Sequence, residues 1–72
     1  MITGNVGYLL GPRICNRLEK CGAIVEEDFS GWIATKAGKH VRIDLSRVVS
    51  AFRLDDYDAI EAEIDAAIRV LS

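Results

Sequence analysis

Between Ala23 and Leu45 the sequence divides into three strand-length runs, Ala23 to Phe29, Trp32 to Ala37 and Lys39 to Leu45, and the breaks between them are Ser30-Gly31 and Ala37-Gly38. Both pairs carry tight-turn chemistry, so consecutive runs fold back on one another as an antiparallel meander. In the third run Val41, Ile43 and Leu45 alternate with His40, Arg42 and Asp44. That alternation gives the sheet one buried face and one wet face.

Helical patterns flank the meander. Gly11 and Pro12 mark a boundary, since proline is favoured at a first helical position where its missing N–H costs nothing. From there Ile14, Leu18 and Cys21 recur at helical spacing, and Gly22 supplies the left-handed residue that ends the helix, which therefore runs from about Pro12 to Cys21. Ahead of it, Asn5 to Leu10 reads as a short strand or an irregular arm, because Gly4 and Gly7 weaken any regular pattern. After the meander, Val48, Val49 and Phe52 make Ser46 to Leu54 a short helical or irregular connector, although the β-branched pair also suits a fourth strand. Asp55, Asp56 and Asp58 then open a last helix, with Asp58 and Glu61 at capping-box spacing. Its stripe of Tyr57, Ile60, Ile64, Ala67, Ile68 and Leu71 is the most regular pattern in the chain. The expectation is a single α+β domain over residues 1–72: a helix, a three-stranded antiparallel meander and a C-terminal helix, with both helices on the apolar face of the sheet.

Size bears on partners. Half of the 72 residues are hydrophobic and 28% are charged, a balance that excludes disorder. A domain this small buries only about 60% of the surface its unfolded chain exposes, so its stability is marginal unless a partner covers part of it. A homodimer along Ile60, Ile64 and Ile68 is one such arrangement.

The net charge of -2 hides an asymmetry. Residues 1–53 carry eight basic side chains against five acids, whereas residues 54–72 carry one against six. Two surfaces follow. Asp55, Asp58, Glu61 and Asp65 form an acidic side on the last helix, suited to docking a protein partner with a basic surface. Arg13, Arg17 and Lys20 form a basic stripe on the first helix, and Trp32, Lys36, Arg42 and His40 add an aromatic and cationic sheet face. That second set is the alternative, a nucleic-acid-binding surface for RNA or DNA.

Chemistry finds little footing. Cys15, Cys21 and His40 are the only soft metal ligands and lack zinc spacing. The two cysteines stand about 9 Å apart along one helix, on different faces, and cannot pair there. His40 has no sequence sign of an orienting partner, and no phosphate loop, nucleophile elbow or cofactor-binding pattern occurs. The expected class is a non-enzymatic binding protein without a cofactor. Two thiols without a secretory signal suggest a reducing compartment. Met1 to Pro12 lack a basic segment and are too short to span a bilayer, so a cytoplasmic protein without membrane contact is expected.

Two family resemblances are visible. Leu18 to Ile24 followed by Gly31-Trp32-Ile33-Ala34-Thr35-Lys36-Ala37-Gly38 resembles the end of a recognition helix and the wing of a winged-helix DNA-binding domain. That family places two more helices upstream, where this chain has seventeen residues before Leu18. The order of elements from Ile14 to Leu71 is similar to that of small HicA-type messenger-RNA-cleaving toxins, which resemble double-stranded RNA-binding domains. The resemblance implies helices on one side of three strands. It does not supply the catalytic histidine, because the stretch equivalent to the family's Gly-Ser-His step is Ser30-Gly31-Trp32, and the histidine here is His40.

Overall fold

A computed structural model describes the backbone of residues 2–72 and the side chains of residues 9–72. Among the described residues the order is α1 (Ile2–Lys20), β1 (Ile24–Asp28), β2 (Gly31–Lys36), β3 (Lys39–Asp44), α2 (Leu45–Arg53) and α3 (Tyr57–Leu71). The strands form one antiparallel sheet in the order β1-β2-β3. The α+β class and the meander are as the sequence implies. One helix, not three, precedes the sheet, which departs from the winged-helix layout.

α1 is much longer than Pro12 to Cys21. The segment expected as a strand or arm, Asn5 to Leu10, is helical, and Pro12 lies inside the helix instead of opening it. An interior proline costs about 3 kcal/mol. Leu10, Ile14 and Leu18 fall at i, i+4 and i+8 across it and are all buried, and each such side chain contributes about 1.5–3 kcal/mol. Burial therefore outweighs the lost rung. The far end of α1 closes as its sequence indicates: Gly22 has φ +97°, its N–H donates to the Glu19 carbonyl, and the Ala23 N–H reaches back to that of Leu18. This is a Schellman termination.

The Ala37-Gly38 turn sets the register of the second hairpin. Both residues have positive φ, +53° and +81°, as a two-residue type I′ turn requires, and Lys36 consequently faces Lys39. That register sets Ala34 opposite Val41 and Trp32 opposite Ile43. Trp32 therefore belongs to the core face and is only 2% exposed, a correction to its expected place on the wet face. The α1 backbone passes close above its ring: a Cβ on Gly11 would lie 3.8 Å from the indole Cζ2.

The core lies between this sheet face and the helices. It joins Leu10, Ile14 and Leu18 of α1 to Trp32, Ala34 and Ile43 of the sheet, Val48 and Val49 of α2, and Ile60, Ile64, Ala67 and Leu71 of α3. Ile60 and Ile64 are consumed there, so the stripe expected to support a homodimer is not a free surface. The connector is helical, as α2. At the start of α3 the capping residue is Asp56, whose carboxylate accepts the Ala59 N–H at 3.1 Å, and not Asp58.

Candidate functional site

The two charged rows expected as rival docking surfaces meet each other. Arg13 and Arg17 are one turn apart on α1, as are Glu61 and Asp65 on α3, so each pair projects from one helix face. Arg13 Nη2 lies 2.7 Å from Glu61 Oε2, Arg17 Nη1 also binds Glu61, and Arg17 Nη2 lies 2.7 Å from Asp65 Oδ1. The hydrogen bond to Glu61, reinforced by both carboxylate charges, holds the Arg17 guanidinium protonated above its ordinary range. Half of the acidic row is thus answered within the chain. Part of the basic stripe is spent with it, leaving Lys20 exposed at the helix end.

The rest of the cationic set is also engaged. Lys36 Nζ donates to the Cys21 carbonyl at the α1 terminus. Arg42 lies on the outer sheet face, where Nη2 is 3.1 Å from Asp28, Nε is 3.3 Å from Asp44, and Ser30 Oγ accepts a further bond. Asp28 also accepts the Ser30 hydroxyl and backbone N–H, each at 2.8 Å. These Ser30 bonds, then Arg42, draw the Asp28 carboxyl below its usual range. With Trp32 in the core, the proposed stacking platform loses its indole.

His40 sits exposed on the outer sheet face opposite Thr35. Cys15 and Cys21 are both free thiols, and Cys21 packs against the core while its Sγ donates to the Leu18 carbonyl. Among the described residues no group of three or more His, Cys, Asp or Glu side chains is placed to hold a metal ion. Nor is any described helix long and apolar enough to cross a membrane.

Exposed apolar and charged side chains stand together at the corner where α2 turns into α3, near the tip of the first hairpin. α2 ends in a second Schellman termination, with Asp55 at φ +53°, its N–H on the Phe52 carbonyl, and the Asp56 N–H on that of Ala51. This turn pushes Leu54 outward, 78% exposed, and Tyr57 to 49%, its ring meeting Phe52 edge-on at 6.2 Å. Asp55 and Asp58 are exposed and join no ion pair among the described residues. Beside the corner runs a groove of about 580 Å³, walled by Phe29 and Ser30 of the hairpin, by Asp44 at the end of β3, and by Leu45, Val49 and Arg53 of α2. Phe29 is 97% exposed.

Sequence reasoning found the free acids but missed Phe29 and Leu54. The signal was available, since each is a large apolar side chain beside a turn residue. No protein-family model, curated protein or solved structure matches the chain.

Proposed function

We propose that the chain is a small non-enzymatic protein-binding module, and that its acidic C-terminal helix docks a basic, partly apolar partner surface through its first turn. The observation that carries this reading is the α2–α3 corner, where Leu54 and Tyr57 stand exposed beside two carboxylates, Asp55 and Asp58, that no cation of the described chain answers. Exposed apolar side chains ringed by uncompensated charge are the composition of a recognition patch. The docking row is therefore shorter than the sequence implies, because Glu61 and Asp65 already serve α1.

The test is paired affinity capture, after nuclease treatment, with wild-type and Leu54→Ser/Asp58→Lys baits. The reading expects at least one protein to be retained by the wild type and lost from the variant, with Lys20→Glu behaving as wild type. Equal recovery on both baits removes the corner as the docking surface. Nucleic acid as the sole retained species, released by salt, turns the assignment to the nucleic-acid alternative.

A further inference from the structure

We infer that the partner surface matching this corner is the α2 groove of a second copy of the chain, so that the protein pairs as a two-fold symmetric dimer. The inference rests on the corner reading above and names its occupant.

The groove has the complementary chemistry. Leu45 and Val49 give it an apolar floor and Phe29 an exposed apolar wall, while Arg53 supplies a cation that joins no ion pair among the described residues. α2 holds no acid along Leu45–Arg53, and the one acid that lines the groove, Asp44, is held by Arg42 at 3.3 Å, which leaves Arg53 unanswered. The corner offers what the groove lacks: Leu54 and Tyr57 for the apolar wall, Asp55 and Asp58 for the cation.

One molecule does not satisfy itself this way: the corner follows Arg53 directly in the chain, yet Arg53 pairs with neither Asp55 nor Asp58. Adjacency has the opposite consequence for two molecules. A two-fold contact needs a patch complementary to itself, in which residue i of one copy meets residue j of the other and j meets i. An apolar groove with one unanswered cation, abutting an acidic apolar corner, is such a patch, with Arg53 of each copy facing Asp58 of its partner.

The experiment is sedimentation equilibrium on the full chain from about 1 µM to about 500 µM, the span over which a weak dimer dissociates. Wild type is expected to shift from monomer to dimer across this range, less so at high salt. Arg53→Glu and Asp58→Arg should each weaken self-association at least tenfold, since each places like charges at both symmetric contacts. Mixing the two variants should restore a dimer, because every cross-contact then joins opposite charges. Phe29→Ser should weaken it similarly while circular dichroism stays native.

Wild type that remains monomeric throughout, or a dimer indifferent to both charge changes, overturns the inference. A monomer whose Asp58 variant still loses a captured protein leaves the corner reading standing and gives it another occupant. A monomer that captures nothing through the corner ends both.

Discussion

Arg17 Nη2 on α1 lies 2.7 Å from Asp65 Oδ1 on α3, across 48 positions of chain. The contact explains where much of the charge asymmetry goes. A basic first part and an acidic last part are drawn together, and both have their apolar stripes in the same core. Burial of Ile14, Leu18, Ile60 and Ile64 brings the helices close, and the ion pairs then fix which faces are turned toward each other. Single exposed ion pairs contribute little, whereas a network sharing one partly buried carboxylate orients two helices.

Glu61 is the hub, so reversing it is the sharpest probe. Glu61→Lys places a third cation beside Arg13 and Arg17 and should lower Tm by about 5 °C in a domain of this size. The loss should shrink in high salt, where the repulsion is screened. Thermal unfolding of the variant at low and high salt checks this. A Tm equal to wild type would mean that the ladder orients nothing.

Asp28 gives a pH prediction with a definite sign. Its carboxyl titrates below the ordinary range because Ser30 and then Arg42 stabilise the charged form. The folded state therefore binds that proton less readily than the unfolded chain does. The resulting stability is present above the ordinary carboxylate range and is lost as pH falls through the lowered folded value. Ser30→Ala removes the hydroxyl bond but keeps the backbone one, so the Asp28 titration, followed by carbonyl NMR, should move part of the way upward. An unmoved titration would assign the whole shift to the remaining partners.

Much of this fold is legible from short-range rules. Gly22, Ala37-Gly38 and the α3 stripe sit where termination, turn and periodicity arguments put them. α1 extends beyond what those rules give because the Leu10, Ile14, Leu18 stripe that crosses Pro12 outweighs the local glycine and proline penalties. Trp32 was recoverable too: a two-residue turn at Ala37-Gly38 sets Trp32 opposite Ile43, already assigned inward. The helix-to-helix ladder was not legible in the same way. Matching i, i+4 spacings stand on both helices, but only tertiary packing decides that they face one another and leave Asp55 and Asp58 as the open acids of that row.

Cys15 should be a slow thiol. Burial first, then the charges of Glu27 and Glu19, push its ionisation upward, so less thiolate is present at a given pH than in a free cysteine peptide. Alkylation at mildly alkaline pH should be slower than in the unfolded chain, and Glu27→Gln should speed it. The folded state keeps this proton longer than the unfolded one, so the group's contribution to stability falls as pH rises from the ordinary thiol range toward the raised folded value. Peptide mapping of label incorporation over time checks the order of rates, and faster labelling of the folded wild type would refute it.

The two hairpins predict opposite signs for substitutions at neighbouring turns. Gly31 has φ +151°, and a Cβ there would lie 2.1 Å from the Ile43 carbonyl oxygen, where the Leu45 N–H also closes on the Ser30 carbonyl at 2.8 Å. Backbone cannot yield as a flexible side chain can, so Gly31→Ala should cost about 3 kcal/mol or more through combined strain and clash. Ala37, by contrast, holds φ +53° at a type I′ position, where an ordinary L-residue is strained and asparagine is favoured. Ala37→Asn completes the Asn-Gly turn and should stabilise by about 0.5–1 kcal/mol, since its neighbourhood is exposed and no core contact is lost. Urea denaturation of both variants gives the comparison. If Ala37→Asn destabilises, the second hairpin does not turn through these two residues, and the register that carries Trp32 into the core loses its cause.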